Sequence, residues 1–367
     1  MRFREFKNGP LYRTDKHISC LNFMTLHGKV TKIGGILKYK VLFGSYPWAF
    51  DCPGGGERQL LAYKHHLEKL DVCVEYFNSW NPIDTDCKIF HFFSVQPGSI
   101  HFCNYLKKQK GLKLVVSPNL WITHETKKQY PSDEIWNLFE TADRVVVNSN
   151  MEGNYMSDVF SMPREKFATV YNGVEAEFLI EESPRLFQSR FGLERPYILC
   201  VANIEPRKNL AVFLEAVLQF PQYDFIVIGH IRDEKYARLC NSIAGERLKI
   251  IPPLPYSSRL LRSAIAGCAF FAMPSIMETP SIAALEAASA GAKILITEGG
   301  STREYFGDSV VYLNPFSVDS MINGIAKMTE WTNKHSMWVV RHNYLLEKCV
   351  DTLENIYHEL LQKESAE

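Results

Sequence analysis

Short apolar runs alternate with amphipathic segments along most of this chain. Strands buried on both faces form continuous apolar runs, whereas surface helices place apolar residues three or four positions apart. The pattern predicts strands at 39–44, 72–77, 88–93, 112–117, 144–148, 168–171, 197–203, 224–229, 247–251, 268–273 and 293–297. It predicts helices from Glu57 onward and at 100–110, 132–141, 210–219, 233–243, 258–266, 281–290 and 336–361. This alternation is typical of an α/β protein with doubly wound parallel sheets.

The polar segment 180–196 contains two prolines and interrupts the alternation, so we interpret it as a linker with some helix. We therefore expect an N-terminal domain at 1–183, a second domain at 184–335 and a C-terminal helix at 336–367. A chain of 367 residues is long enough for two domains that each have a core. Residues 1–38 mix apolar and basic positions without a clean period. They fit either an extra strand pair on the first domain or a basic arm at a membrane surface.

The helix predicted at 281–290 follows an apolar strand and leads into the next one. Thr279 is a plausible N-cap, and Pro280 suits the first helical position, where a missing N–H costs nothing. Gly291 is the expected stop at the other end. The helix therefore begins at the carboxyl end of a strand, which is where α/β folds bind ligands.

Two carboxylates accompany this helix, and their spacing matches the dimensions of a nucleotide sugar. Glu278 lies just before the helix and Glu286 lies about 12 Å further along, at ~1.5 Å of rise per residue. The helix N-terminus between them could receive a diphosphate. Glu278 could then accept hydrogen bonds from sugar hydroxyls, and Glu286 from the ribose hydroxyls. On spacing alone, the favoured interpretation is an exposed glutamate at the helix end and a second glutamate that stabilises the helix.

Composition and charge narrow the class of protein. Lys and Arg together number 41, as do Asp and Glu, which argues against a dedicated nucleic-acid binder. Nine cysteines occur singly, without a C-x-x-C pair, a pattern that fits a reduced cytosol better than a disulfide framework. No apolar run approaches the length of a membrane span, and no signal peptide is evident. We therefore expect a cytoplasmic protein, soluble or held at a membrane surface. Residues 1–40 hold nine Lys or Arg against Glu5 and Asp15.

The motifs resemble those of a known family of transferases. The pattern E-x7-E, followed by GAKILIT and EGGSTREYFGD, is similar to the donor-site signature of the retaining family-4 glycosyltransferases, which continues with G-G-x-x-E. The strings ADRVVVNSNMEGNYM and FATVYNGVEAEF resemble two further landmarks of that family. The resemblance covers residues 39–360. Thr279-Pro280-Ser281-Ile282 stands in place of the usual glycine-rich turn, and Lys293-Ile294 in place of the usual Pro-Val.

The resemblance implies the glycosyltransferase B fold, in which two Rossmann-like domains face each other and the terminal helix crosses back to the first domain. It implies transfer of a sugar, with retention, from a UDP- or GDP-linked donor to an acceptor hydroxyl, without a further cofactor. The acceptor would be a saccharide or a lipid-linked molecule in cell-surface polysaccharide or lipopolysaccharide synthesis. That role would place the protein in the cytoplasm, with peripheral contact to the anionic inner face of the membrane and none to nucleic acid. A phosphorylase, an epimerase or a silent sugar-nucleotide-binding subunit remain the alternatives.

The segment VANIEPRKNL at 201–210 resembles the diphosphate-binding loop of the E-P-R-K-N branch of this family. A diphosphate leaving group needs positive charge, which Arg207 and Lys208 would supply. Other branches have G-R-x-x-x-x-K-G, whose arginine corresponds to Asn203, so we expect Arg207 to replace it. Together with Glu278 and His124, these two residues form the predicted catalytic set.

The remaining donor contacts are also implied by the resemblance. Gly54-Gly55-Gly56 follows the first strand and lets the backbone approach a phosphate or sugar. The predicted donor-binding residues are Gly55, Gly56, Arg207, Lys208, Leu254, Pro255, Pro280, Ser281, Ile282 and Glu286. Tyr256 offers a stacking surface for the base.

Three further places in the sequence have both a functional and a structural interpretation. His124 or Asn119 could lie near the donor sugar, although the sequence favours an ordinary loop histidine. His91 could reach the cleft or sit in the core. The D-x-D string at 84–86 precedes a strand and is interpreted as a turn, not a metal site. We expect no metal, because Arg207, Lys208 and the helix N-terminus would neutralise the diphosphate.

Overall fold

The computed structural model describes residues 38–51, 53–84, 86–332 and 335–364. Both interpretations of the basic N-terminal segment fall on residues 1–37 and lie outside this range. Within it, none of the helices is both long and apolar enough to cross a membrane.

The first half of the chain forms a parallel six-stranded sheet in the order β2-β1-β3-β4-β5-β6. Its strands are β1 (Lys40–Gly44), β2 (Cys73–Tyr76), β3 (Cys87–Phe92), β4 (Lys113–Val116), β5 (Arg144–Val147) and β6 (Phe167–Thr169). The accompanying helices are α1 (Gly55–Lys69), α2 (Ser99–Lys110), α3 (Ser132–Thr141) and α4 (Asn150–Phe160).

The second half forms another parallel six-stranded sheet, in the order β12-β11-β10-β7-β8-β9. Its strands are β7 (Tyr197–Val201), β8 (Asp224–Ile228), β9 (Leu248–Ile251), β10 (Phe270–Met273), β11 (Ile294–Thr297) and β12 (Val311–Leu313). Its helices are α5 (Arg185–Phe191), α6 (Leu210–Val217), α7 (Glu234–Ala244), α8 (Arg259–Gly267), α9 (Ile282–Ser289), α10 (Thr302–Phe306), α11 (Val318–Glu330) and α12 (His335–Asn343). The predicted α/β class with two doubly wound parallel sheets is confirmed.

The final helix, α13 (Leu346–Glu364), packs on the first sheet and against α1. Its Val350, Leu353 and Tyr357 are buried in one core cluster with Val41 and Phe43 of β1. We call the first sheet with α1–α4 and α13 the first lobe, and the second sheet with α5–α12 the second lobe. One face of the first sheet is thus completed by a helix from the far end of the chain.

His91 lies in this core and not in a cleft. It is fully buried, with Nδ1 2.6 Å from the hydroxyl of Tyr357 and Nε2 2.8 Å from the hydroxyl of Ser117. Burial lowers its pKa to about 3, so the imidazole is neutral near pH 7 and ties α13 to β3.

The prediction for the start of α9 is wrong by two residues. The N-cap is Ser281, whose Oγ accepts a hydrogen bond from the Ala284 N–H at 3.3 Å. The residues before it are not helical: Glu278 pairs with Gly300 in an isolated parallel bridge, and a bend follows at 279–280. Thr279 and Pro280 therefore lie in the connection between that bridge and the helix. The predicted stop is confirmed: Gly291 has φ of 87° and follows the last turn.

The single C-terminal helix predicted at 336–361 is instead two helices, α12 and α13. The break lies at Leu345, where the backbone forms an isolated bridge with Val174. The Val174 N–H donates to the Tyr344 carbonyl at 2.9 Å, and the Leu346 N–H donates to the Val174 carbonyl at 3.0 Å. This pairing with a distant segment uses backbone groups that a continuous helix would need.

The proposed linker is less independent than its polarity indicated. Helix α5 occupies much of 180–196 and packs against α8. Its Phe187 is fully buried in the core of the second lobe, and the Phe187 N–H donates to the Ser263 hydroxyl at 2.8 Å. These contacts make α5 part of the second lobe.

Candidate donor site

The centre of the site lies where the order of the second sheet reverses, between the adjacent strands β7 and β10. Connections from these two strands run to opposite sides of the sheet, which leaves a crevice at their carboxyl ends. Lys208 follows β7 and Glu278 follows β10, and Nζ lies 2.5 Å from Oε1 in an ion pair. Both side chains are buried, with 10% and 8% of their surface exposed. The structure thus brings together two predicted site residues that are 70 positions apart.

The charge state of Glu278 follows from this pair. Burial alone would raise its pKa, but the charge and hydrogen bond of Lys208 outweigh burial and lower it. Glu278 is therefore a buried carboxylate that stays ionised at neutral pH. It is a strong hydrogen-bond acceptor close to the N-terminus of α9.

Backbone contacts hold both connections in place. The Ile276 N–H donates to the Arg207 carbonyl at 3.0 Å, which ties the loop after β10 to the loop after β7. The Glu278 N–H donates to the Gly299 carbonyl at 3.1 Å. A β-carbon on Gly300 would lie 2.1 Å from the Glu278 carbonyl oxygen, so only glycine permits this approach. Gly299 and Gly300 thus position Glu278.

Glu286 lies further along α9 and is 1% exposed. Burial raises its pKa to about 7, while the nearby charge of Arg58 and a hydrogen bond from Tyr256 act in the opposite direction. Its Oε1 has no hydrogen-bond partner among the described residues. A buried acceptor without a partner costs free energy, which a hydroxyl-bearing ligand would recover.

The glycine turn of the first lobe faces this helix. A β-carbon on Gly55 would lie 3.8 Å from Cδ1 of Ile282, and one on Gly56 would lie 3.1 Å from Nδ2 of Asn119. Gly54 is the N-cap of α1, and its N–H donates to the Glu57 carboxylate at 2.7 Å. The turn therefore brings backbone close to the N-terminus of α9.

The loop after β9 lies beside the same opening. Leu254 packs against the core of the second lobe, and Pro255 follows it in the chain. The centroid of the Tyr256 ring lies 5.6 Å from that of the Phe178 ring, and the Arg58 guanidinium lies 5.4 Å from the Tyr256 centroid. Tyr256 is thus held between the lobes beside Glu286. Sequence reasoning missed Arg58, because it is one of several charged residues along α1.

Arg207 lies on the exposed side of its loop. It forms an ion pair with Glu205 at 2.7 Å, and 58% of its side chain is exposed. A third cation, Arg232, lies after β8 and contacts the other oxygen of Glu205 at 3.5 Å. Sequence reasoning missed Arg232 as well, since only the pairing of β7 with β8 places it beside the 201–210 loop.

His124 contacts an exposed residue of its own lobe. Its Nε2 is 2.8 Å from a carboxylate oxygen of Asp158, and 59% of the side chain is exposed. Asp158 stands toward the C-terminal end of α4, and 75% of its side chain is exposed. This position corresponds to an ordinary surface pair. Of the predicted turn residues, Asp84 forms an ion pair with Lys40, and Thr85 lies outside the described residues.

Glu304 joins the two lobes. Its carboxylate accepts hydrogen bonds from the Asn150 and Met151 N–H groups, both at 2.8 Å, and from the Tyr171 hydroxyl at 2.7 Å. The neighbouring Tyr305 hydroxyl accepts from the Asn172 N–H at 2.9 Å. An acidic side chain of the second lobe thus caps the positive end of α4 in the first lobe.

A family model described as "Glycosyl transferases group 1" matches residues 184–341, which include every residue of the Lys208–Glu278–Glu286 group. This part of the chain thus matches the group 1 glycosyltransferase family. The recognition made from the motifs is confirmed at this level.

Curated relatives match about half of the chain at low identity. The D-inositol 3-phosphate glycosyltransferase of Mycolicibacterium smegmatis is 22% identical over 182 residues, which are 47% of this chain and 42% of that protein. The serotype-specific mannosyltransferase WbdA of Escherichia coli is 25% identical over 195 residues, 50% of this chain and 24% of WbdA. A Campylobacter jejuni enzyme named as a diphospho-undecaprenol 4-alpha-N-acetylgalactosaminyltransferase is 24% identical over 201 residues, covering 53% and 52%. The match thus spans about half or less of these relatives' own length.

Solved structures resemble the chain over most of its length. Sucrose-phosphate synthase from Thermosynechococcus elongatus superposes with a TM-score of 0.76 at 13% identity, covering 89% of this chain and all of that one. HepE from Anabaena, in complex with UDP and glucose, gives a TM-score of 0.72 at 16% identity, with coverage of 87% and 99%. At such identities the likeness shows the fold, which is the predicted glycosyltransferase B fold.

Proposed function

We propose that this protein is a retaining glycosyltransferase that moves a sugar from a nucleoside-diphosphate sugar to an acceptor hydroxyl. The observation that carries the proposal is the buried Lys208–Glu278 ion pair at the N-terminus of α9. Glu286 extends the site as a buried acceptor in the same helix, and the glycine turn lies opposite. The order from Glu278 to Glu286 corresponds to sugar, diphosphate and ribose in the donor.

Each group has a defined task in this reaction. The ionised Glu278 accepts hydrogen bonds from the donor sugar, and Lys208 with Arg207 stabilises the charge that develops on the departing diphosphate. Free N–H groups at the start of α9 add to that stabilisation, so the reaction proceeds without a metal. The departing phosphate oxygen removes the acceptor proton on the same face of the sugar, through an oxocarbenium-like state. Retention of configuration follows from attack on that face.

The donor we propose is a UDP- or GDP-linked hexose. HepE, which shares this fold, is described in complex with UDP and glucose, and the relative WbdA is named as a mannosyltransferase. We assign the contact with the edge of the base to backbone groups of Leu254 and Pro255. Tyr256 lies beside Glu286, which suits a surface on which the base stacks.

For the acceptor we propose a saccharide or a lipid-linked molecule in cell-surface polysaccharide or lipopolysaccharide synthesis. One relative is named for an acceptor linked to diphospho-undecaprenol. The basic excess of residues 1–40 would attract the anionic inner face of the cytoplasmic membrane, where such acceptors are available. The protein would then act in the cytoplasm as a peripheral enzyme.

The test is a panel of UDP-, GDP- and ADP-sugars, screened first for thermal stabilisation and then for release of nucleoside diphosphate with EDTA present. We expect one nucleotide class to raise the melting temperature and to be turned over slowly by hydrolysis. Formation of a sugar phosphate from inorganic phosphate would identify a phosphorylase instead. Stabilisation without hydrolysis would favour a silent binding subunit, and no stabilisation by any donor would refute the proposal.

A further inference from the structure

Arg232 is carried into the donor site on a short extension of the second sheet. The Ile204 N–H donates to the His230 carbonyl at 2.8 Å, and the Arg232 N–H donates to the Ile204 carbonyl at 3.1 Å. The His230 N–H donates to the Asn203 side chain at 3.2 Å. These bonds continue the β7–β8 pairing beyond the strands, so the backbone of Arg232 is fixed against the loop that contains Arg207 and Lys208.

The Arg232 side chain lies between that loop and the glycine turn of the first lobe. One guanidinium nitrogen is 3.5 Å from Glu205. Another lies 3.4 Å from the point that a β-carbon on Gly54 would occupy. About 30% of the side chain is exposed. The guanidinium therefore borders the opening where the turn and the start of α9 approach each other.

The charges around it explain why a third cation is needed. Lys208 is already paired with the buried carboxylate of Glu278, and Arg207 is paired with Glu205. The two cations of the loop are therefore matched by two carboxylates before a ligand enters. A diphosphate brings negative charge on both phosphates, so favourable binding requires positive charge beyond this balanced set.

We propose that Arg232 is a diphosphate-binding residue of this site, held by Glu205 when no donor is bound and shared with the diphosphate when one is. The proposal rests on the nucleoside-diphosphate donor class argued above. Arginine suits the position because its planar fork can contact a carboxylate and a phosphate oxygen through different N–H groups. Its place beside Gly54 links the first lobe to donor binding, because the phosphates would contact the turn and the guanidinium together.

The experiment is calorimetric titration of UDP, GDP and ADP into the full chain and its variants. For the nucleotide that binds the wild type, Arg232→Ala should weaken affinity by about 10- to 100-fold, as loss of a hydrogen bond to a charged group does. The affinity of Arg232→Lys should lie between those of the wild type and Arg232→Ala. Arg238→Ala is the matched control, because Arg238 is a largely exposed arginine of α7 that pairs with Glu234. It should bind like the wild type.

Two further measurements separate phosphate contact from a structural role. Ligand-observed NMR with the parent nucleoside should give equal binding to the wild type and Arg232→Ala, because the nucleoside has no phosphate. Glu205→Gln should bind the nucleoside diphosphate more tightly than the wild type, because it removes the carboxylate that competes for Arg232.

Each result decides the question. Unchanged diphosphate affinity in Arg232→Ala, or equal losses for nucleoside and diphosphate, would overturn the role of Arg232 while the proposed function stands. Weaker diphosphate binding by Glu205→Gln would overturn the proposal that Glu205 competes with the diphosphate for Arg232. A wild type that binds none of the three nucleotides would overturn the proposed function, and this inference with it.

Discussion

Replacement of Lys208 by methionine is the sharpest test of the buried ion pair at the centre of the site. Lys208 and Glu278 are nearly removed from solvent and 2.5 Å apart, so removal of one charge leaves the other buried without a partner. Breaking a buried pair in this way costs about 3–5 kcal/mol of folding free energy. For a cooperative unit the size of one lobe, this loss lowers the melting temperature by roughly 6–20 °C. The double variant Lys208→Met, Glu278→Leu should recover most of it, since an apolar pair of similar volume is often neutral.

The way this loss of stability varies with pH follows from the pKa of Glu278. In the wild type the folded pKa of Glu278 is lowered, so its contribution to stability is present above its ordinary pKa and is lost as pH falls through the folded value. In Lys208→Met, burial is no longer opposed by the lysine, so the pKa of Glu278 rises above its ordinary value. The cost is then greatest at neutral pH and is relieved as the carboxyl group takes up a proton. The difference in free energy of unfolding between Lys208→Met and the wild type should therefore decrease as the pH is lowered to 5.

Urea unfolding followed by circular dichroism at pH 7.5 and pH 5 measures both quantities. Lys235→Met is the matched control, because Lys235 is an exposed lysine of α7 and its loss should change stability little. A deficit for Lys208→Met that is equal at the two pH values would refute the reasoning. So would a double variant that is less stable than the single one.

Three further predictions concern the donor and the membrane. Arg207→Ala should slow turnover by at least ~100-fold in steady-state assays, and a near wild-type rate in a folded variant would remove Arg207 from the mechanism. Glu286→Ala should weaken nucleoside diphosphate binding by ~1–3 kcal/mol while Glu278→Ala spares it. Because burial raises the pKa of Glu286 to about 7, the affinity of the wild type for the nucleoside diphosphate should also fall as the pH drops below 7. Equal losses of affinity in Glu286→Ala and Glu278→Ala, measured by calorimetry, would contradict the assignment of Glu286 to the ribose. Binding to anionic vesicles should weaken with added salt and disappear when residues 1–38 are deleted; sedimentation that is independent of lipid charge would exclude a basic arm.

Much of the site's framework could be predicted because it depends on local patterns. The apolar runs before Lys208 and Glu278 indicate buried strands, and a strand followed by a loop and a helix places each residue at the carboxyl edge of a sheet. Their mutual contact could not be predicted in this way, because it depends on β10 lying beside β7. Arg232 was missed for the same reason, since the β7–β8 pairing and not the chain order brings it to the loop.

The errors at the helix boundaries also have long-range causes. Thr279 and Pro280 satisfy local capping preferences, yet both lie in a bend that follows the bridge between Glu278 and Gly300, and the cap is Ser281. Leu345 fits a helix by its own propensity, but its pairing with Val174 interrupts the helix there. In both cases a contact with a distant segment outweighs the local preference.

The position of α13 has a consequence for how this protein folds during synthesis. The side chains that cover β1 and α1 come from the far end of the chain, and 266 positions separate His91 from its partner Tyr357. A ribosome releases the first sheet long before it adds these residues, and throughout that interval one face of the sheet exposes apolar side chains to water or to a chaperone. Closing a connection of this length also slows the final step, because chain entropy is lost before the contact is gained. The first lobe is therefore the first to be made and the last to be completed.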